Sequence, residues 1–257
     1  MTQVVRSLDQ WRHIAGSNGY RQKVAGFVPT MGALHQGHRS LIDRCRSEND
    51  LTVVSIFVNP TQFNDPKDLR NYPRTFEKDL ELLEAAGVDY LLSPDYESIY
   101  PDDYRYQVQE TSFSAELCGK SRPGHFTGVL SVVMKLLQLV RPHRAYFGEK
   151  DYQQFVLIKE MARAFFLQTE IRSCPTIRDD DGVAMSSRNA LLSPDGRSRA
   201  AEFARLLKAP MNSKERMDAL ANVGTVEYIE EMLGRRFGAI RIDGVRLIDN
   251  IPLEEPN

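Results

Sequence analysis

The sequence predicts an α/β protein: a doubly wound parallel sheet followed by a smaller C-terminal α+β domain. Three observations lead there. Short apolar runs such as "VAGFV" and "LTVVSIFV" lack the polar alternation of a half-exposed strand, so they belong to strands covered on both faces. Stretches with helical periodicity lie between them, the signature of strand–helix–strand units. After Asn189 the texture turns polar, helical and Gly/Pro-punctuated. It closes on "AIRIDGVRLIDNI", two alternating segments about Asp243-Gly244 that read as a hairpin.

Taken in order, Val24–Val28 reads as a buried strand ended by Pro29, and "HRSLIDRCRSEND" as the helix after it. Leu51–Val58 is a β-branched strand, again closed by a proline. "TFEKDLELLEAAG" sets Phe76, Leu80, Leu83 and Ala86 on one helical stripe, with Gly87 as C-cap. "VDYLLSP" is the next strand, and "FTGVLSVVMKLLQLV" a long apolar helix ending near Pro142. "AYFGEK" reads as a strand edge, "DYQQFVLIKEMARAFF" as its helix, and "TEIRSCPTI" completes the series. A boundary falls between residues 175 and 185, dividing residues 1–177 from 178–257. No internal repeat or low-complexity tract interrupts either part.

Composition narrows the class. Among 257 residues, 42% hydrophobic and 26% charged is ordinary for a globular chain with a real core. A net charge of −2 argues against a nucleic-acid partner. No apolar run approaches the roughly 20 residues that span a bilayer, so no membrane partner is expected. The opening "MTQVVRSLDQW" shows no charged-then-apolar leader. Cys45, Cys118 and Cys174 form no CxxC pair, so a reduced, cytoplasmic protein is expected.

The chemistry concentrates in "FVPTMGALHQGHRSLI", Phe27 to Ile42. In a doubly wound sheet, ligands bind at the carboxyl ends of strands, where a helix N-terminus favours an anion. Gly32 and Gly37 would let a ligand approach the backbone. His35 and His38, three apart, could offer two imidazole N–H donors to phosphate oxygens without a permanent charge. A lone His-x-x-His is more often a pair of surface histidines. Zinc is disfavoured, because the glutamate of HExxH is missing and His13, His125 and His143 show no ligand spacing, so no protein-held metal is expected. "CGKS" at Cys118–Ser121 is a false Walker A loop: Ser114 stands where its first glycine should be, and no strand feeds it. Near the boundary, "DGVAMSSRN" sets Ser186, Ser187 and Arg188 in a row. Two hydroxyls and a guanidinium can wrap a polyphosphate and neutralise a departing pyrophosphate. Taken alone, the run is better read as a helix N-cap with a surface arginine. The acidic run Asp179–Asp181 lacks EF-hand alternation and reads as a solvated hinge, and Asp79 as a candidate outer-shell contact.

His-x-Gly-His with a downstream Met-Ser-Ser-Arg loop resembles the HIGH-type nucleotidyltransferase superfamily. "PTMGALHQGHRSLI", "VSIFVNPTQF", "YPRTFEKDLELLEAAGVD", "RPGHFTGVLSVVMKLLQLVRPHRAYFGEKDYQQ" and "AMSSRNALLS", in that order, resemble the pantothenate synthetase (pantoate–β-alanine ligase) family. The likeness covers nearly all of residues 24–195, and "VRLIDNIPL" resembles the family's C-terminus. Residues 206–238 depart from that pattern: they are short and lack its strand-rich segment. The resemblance implies a Rossmann-like first domain, a C-terminal lid and a homodimer. It also implies condensation of pantoate with β-alanine through a pantoyl adenylate, with AMP and pyrophosphate released.

By the same resemblance, the ATP site spans Met31, Gly32, Ala33, Leu34, His35, Gln36, Gly37 and His38. It continues with Gly148, Glu149, Lys150 and Asp151, and ends with Ile177, Met185, Ser186, Ser187 and Arg188. His38, His35, Lys150 and Arg188 are the expected catalytic groups. His38 is read mainly as a phosphate ligand, because adenylation moves no obligatory proton. Lys150 is expected to meet phosphate charge, and Asp151 to accept from ribose or orient a neighbour. Gln62 and Gln154 are expected to hold pantoate, since an amide donates and accepts at once. Met31, Phe63 and Tyr72 would wall its gem-dimethyl group. Mg2+ is expected to arrive with ATP. Two rivals are another HIGH-type adenylyl transferase, which would show more cations and fewer glutamines at its acceptor site, and a non-catalytic nucleotide sensor.

Overall fold

A computed structural model describes residues 1–253 of the chain; the last four residues of the expected C-terminal domain lie outside it. The chain opens with β1 (Gln3–Val5) and α1 (Leu8–Gly16), then α2 (Asn18–Arg21) and β2 (Ala25–Thr30). It continues through α3 (Gln36–Glu48), β3 (Leu51–Ile56), α4 (Pro66–Asn71), α5 (Phe76–Ala85), β4 (Tyr90–Leu92) and α6 (Tyr96–Ile99). Next come α7 (Cys118–Ser121), α8 (His125–Val140), β5 (Arg144–Gly148), α9 (Tyr152–Ala164) and β6 (Glu170–Cys174). The six strands are all parallel, in the order β1-β4-β3-β2-β5-β6. Strand order reverses between β2 and β5, which opens a crevice at their carboxyl ends.

Alternate side chains explain why the apolar runs are continuous. Phe27, Val53, Leu92, Ala145 and Phe147 pack with α1, α8 and α9 on one face. Val28, Val54, Leu91 and Tyr146 pack with α3 and α5 on the other. The element before Val24 is a new finding: Ser7 caps α1, and Trp11 is fully buried with its indole N–H donated to Leu139 O at 2.8 Å. That contact crosses 128 residues, so no local pattern announces it.

Several boundaries differ from expectation. β2 does not end at Pro29 but runs to Thr30, paired along its length with β3. The carbonyl of Thr30 faces β3, where it accepts from Phe57 N at 3.1 Å, so Pro29 faces the β5 side. Pairing with β5 stops at Phe27, and the missing proline N–H costs no ladder bond. β3 ends at Ile56 rather than Val58. β5 is not an edge, because β2 and β6 flank it. Gly87 follows α5 with φ 69°, as the C-cap reading requires.

Beyond β6, α10 (Pro194–Lys208) and α11 (Ser213–Ala221) pack on an antiparallel sheet of β7 (Thr225–Met232), β8 (Arg235–Ile242) and β9 (Val245–Pro252). Phe203, Leu207, Leu220, Ile240 and Leu247 form its core. The β8–β9 hairpin turns at Asp243 and Gly244, both at positive φ, as predicted. β7 overturns the expectation that residues 206–238 lack a strand-rich segment. Its three glutamates and a register shift between Val226 and Tyr228 break the apolar alternation. Its turn uses Leu233 at φ 52°, a residue that carries no turn signal. The Asp179–Asp181 run is not a freely solvated hinge: Arg197 of α10 bonds Asp179 and Asp181, each at 2.7 Å.

Candidate active site

The turn after β2 is built by backbone geometry and one buried carboxylate. Gly32 and Ala33 take left-handed φ values of 81° and 50°, swinging the chain off the strand. Ala33 N and Leu34 N donate to the two oxygens of Asp79, each at 2.8 Å, and Thr75 Oγ1 donates to the same group at 3.0 Å. Asp79 is 2% exposed. It clamps this turn, where the sequence suggests an outer-shell contact.

The two histidines cap α3 with their rings. His35 Nδ1 accepts from Gly37 N at 3.1 Å, and His38 Nδ1 accepts from His35 N at 3.3 Å. A backbone N–H can only donate, so each ring carries its proton on Nε2. Each therefore keeps one N–H donor, and the ring centroids stand 4.1 Å apart. Burial, then His35 and Lys150, drive His38 down to about 3. Burial and Lys150 also lower His35. Both imidazoles are neutral donors at neutral pH. Gly37 serves the cap: a Cβ there would lie 2.9 Å from His35 Cε1.

A cleft of about 240 Å³ opens where strand order reverses. His35, His38, Lys150, Gln62, Gln154 and Arg188 all line it. So do Met31, Gly37, Gly148 and Asp151, together with Ile177, Met185, Ser186 and Ser187. Phe63 and Tyr72 stand edge-to-face on its wall at 5.6 Å. An adjoining cleft of about 560 Å³ runs toward α10 and the β8–β9 hairpin, sharing Arg122, Lys150, Asp151, Ser186 and Arg188. Five expected residues line neither cleft. Gly32 and Ala33 face a separate depression of about 320 Å³ behind the turn. Leu34 packs on the α3–α5 core, Gln36 is exposed, and Glu149 lies 3.6 Å from Arg235.

The glutamines differ. Gln62 is 9% exposed, on the turn after β3. Asn59 Nδ2 donates to its Oε1 at 3.0 Å, and its own Nε2 points at Met31 Sδ, 3.2 Å away. Thioether sulfur is a weak acceptor, so that N–H₂ remains available to a better one. Gln154 is half-buried on the first turn of α9. Across the cleft, Ser186 Oγ accepts from Arg188 N at 3.3 Å, and Ser187 Oγ lies 3.4 Å from Tyr72 OH. Arg188 pairs with Asp68 of α4 at 3.0 Å and lies over the Tyr72 ring.

Arg122 was not singled out from sequence, and His125 was set aside for want of ligand spacing, although both lie within the quoted "RPGHFTGV" run. His125 Nδ1 meets Gln62 O at 2.8 Å, and Arg122 NH2 donates to that carbonyl at 3.1 Å. A carbonyl only accepts, so His125 is protonated on Nδ1, and its Nε2 accepts from Arg122 NH1 at 3.0 Å. Burial, then Arg122, lower His125 to about 3. Burial and the nearby Arg188 and Arg246 lower Arg122 to about 10. A cation held at that cost calls for an anion. The readable signal was an arginine three residues before a histidine at the start of a helix.

With this geometry in hand, comparison with known proteins is specific. The family model described as pantoate-beta-alanine ligase matches residues 3–252. A pantothenate synthetase of Bdellovibrio bacteriovorus is 50% identical over 260 residues, covering 98% of this chain and 100% of that protein. One from Legionella pneumophila is 51% identical over 249 residues, covering 96% and 98%. The crystal structure of a Francisella tularensis pantoate-beta-alanine ligase, complexed with beta-gamma ATP and beta-alanine, superposes with a TM-score of 0.95 at 42% identity. It covers 100% of this chain and 99% of that one. The Thermus thermophilus pantothenate synthetase reaches 0.89 at 38% identity, covering 99% and 100%.

Proposed function

Because the chain belongs to the pantoate–β-alanine ligase family, we propose that it uses ATP to join pantoate to the amine of β-alanine in two steps through a pantoyl adenylate. One observation carries the stepwise reading. Neutral N–H donors and cations line the same crevice as two amide side chains suited to a hydroxy acid. A pantoate carboxylate oxygen attacks the α-phosphorus of ATP, and the bond to the pyrophosphate oxygen breaks. The neutral amine of β-alanine then attacks the acyl carbon, loses a proton, and expels AMP.

Each residue has a task suited to its chemistry. His35 and His38 donate Nε2–H to phosphate oxygens, and Lys150 and Arg188 take up charge that grows on the leaving group. Gln62 and Gln154 bind pantoate, with Met31, Phe63 and Tyr72 against its methyl groups. Arg122 serves an anion from the far wall. Arg188 must leave Asp68 to reach the phosphates. Gly32, Ala33 and Leu34 support the site by shaping the turn.

Magnesium travels with ATP. Among the described residues no three His, Cys, Asp or Glu side chains form a metal-ligand set. An ion that keeps its waters and binds phosphate oxygens would need few protein ligands, and Asp151 is the carboxylate common to both clefts. When bound, the ion would neutralise phosphate charge. Residues 1–177 form the binding domain in this reading, and residues from 178 on the lid that excludes water from the mixed anhydride. The expected homodimer would pair across the β6 edge, a reading supported by the exposed Phe165 and Phe166 beside it. Sedimentation velocity of the free protein checks this: a monomer at micromolar concentration removes the dimer. No helix among the described residues is long and apolar enough to cross a membrane, and the three cysteines are free. Together with the need for ATP, this supports a cytoplasmic enzyme.

The test is isotope exchange between labelled pyrophosphate and ATP. Exchange should need pantoate and magnesium and proceed without β-alanine. Exchange that appears only once β-alanine is added removes the adenylate.

A further inference from the structure

We propose that Asn250, near the end of the edge strand β9, is a positioning residue for Lys150. It rests on the reading that Lys150 meets the ATP phosphates. Lys150 sits on a single turn, Glu149–Asp151, between the end of β5 and the start of α9. Nothing in so short a turn fixes its orientation by itself. Asn250 Nδ2 donates to Glu149 O at 2.8 Å and to Lys150 O at 2.9 Å, reaching across 101 and 100 residues. Its Oδ1 accepts from Arg235 Nε at 2.6 Å. The carboxamide therefore spends both N–H groups and its oxygen, although the residue is only 2% exposed.

Asparagine is a poor strand residue, and burying an amide is costly unless it is fully bonded. Here every bond goes to the turn that carries Lys150 or to the arginine that packs beside it. Arg235 lies 4.4 Å over the Tyr152 ring and 3.6 Å from Glu149, so the clamp grips both the turn and the first residue of α9. The preceding residue holds the opposite wall. Asp249 accepts from Arg178 at 2.6 and 2.9 Å, and Arg178 bridges to Ala184, just before Met185–Arg188. One strand of the second sheet thus ties down both segments between which phosphate would lie. An aspartate at 250 would set its oxygens against two carbonyl oxygens, and a leucine would leave both unpaired.

The experiment is a double-mutant cycle on pyrophosphate–ATP exchange with pantoate present, using Asn250→Ala, Lys150→Ala and the pair. Asn250→Ala alone should cut the exchange kcat about tenfold or more while the pantoate KM stays within twofold. In the Lys150→Ala background the same change should cost less than about twofold, because the group it positions is gone. Equal losses in both backgrounds, or a rise in pantoate KM of the same size as the kcat loss, would make Asn250 a purely structural residue and overturn the proposal. Should Asn250→Ala fail to fold, Asn250→Ser, which fills part of the void but cannot reach both carbonyls, is put through the same cycle with the same expected outcomes. Lys150→Ala retaining full exchange would instead overturn the role of Lys150 itself, a result distinguishable from failure of the clamp.

Discussion

His35 and His38 each hold one lone pair against the backbone and one proton toward the cleft. His38 should therefore remain a neutral donor throughout the working range, being depressed to about 3. His38→Ala is expected to lower kcat about 10²–10³-fold, the usual loss for one oxyanion-type donor. The pH profile of the exchange should keep its shape, since no step titrates with His38 near 6.5. A lost acid limb in the variant would show that His38 is protonated in turnover. The variant also loses a cap, worth about 1 kcal/mol, so a small drop in melting temperature is expected. His125 has a parallel consequence for stability. Its folded value is lowered from 6.5 to about 3, so the unfolded chain binds the extra proton first. The stability it allows is complete above about 6.5 and drains away as pH falls toward 3. Thermal melts of wild type and His125→Asn across that window should converge as pH drops. Parallel curves would exclude His125 as a source of acid sensitivity.

At the scale of single elements, the site depends on how tightly short turns seat on helices. The turn carrying Gln62 presses directly on α8 at Gly128, where a Cβ would lie 2.5 Å from Thr61 O and 2.8 Å from Gln62 Cα. Asn59 fastens the same turn from below, donating to Gly128 O at 3.1 Å while 1% exposed. Gly128→Ala should leave α8 helical but push the Gln62 turn outward. The pantoate KM should rise several-fold, in the same direction as in Gln62→Ala, with the ATP KM little changed. Unaltered pantoate kinetics in Gly128→Ala would show that the turn's seat on α8 does not set the pocket. The β2–α3 turn has a comparable anchor in Asp79. Three donors to one buried carboxylate make it far stiffer than its glycine would suggest.

For the molecule as a whole, the question is whether the second sheet moves over the first. Cys118 of α7 is a native reporter, because its Sγ lies 3.0 Å from Tyr228 OH of β7 and 3.6 Å from Arg246 of β9. It is 7% exposed, while Cys45 and Cys174 sit at 0% and 2% within the core of the parallel sheet. If the C-terminal part opens and closes as a lid, alkylation mapped by mass spectrometry should strike Cys118 first. ATP, magnesium and pantoate together should slow it several-fold. Labelling of Cys118 at a rate indifferent to ligands would remove the moving lid.

What the sequence determined by itself was whatever contiguous residues encode. Apolar runs buried on both sides marked the parallel strands, Asp243-Gly244 marked its turn, and the ordered motifs from Pro29 to Ser193 marked the family and most of the cleft-lining residues. Local steric preference and periodicity act over a few residues, so they can be read in a string. The tertiary structure alone decided which atoms are free to act. It committed both Nδ1 atoms of the His pair to capping and took Asp79 into a turn. It also brought Arg122 and His125 onto the Gln62 carbonyl from some 60 residues away. It made a strand of Thr225–Met232 through pairing with β8 rather than through its own alternation. It set Asn250 beside Lys150 across 100 residues. A polar side chain's partner depends on where the topology delivers another backbone, and no local pattern carries that information.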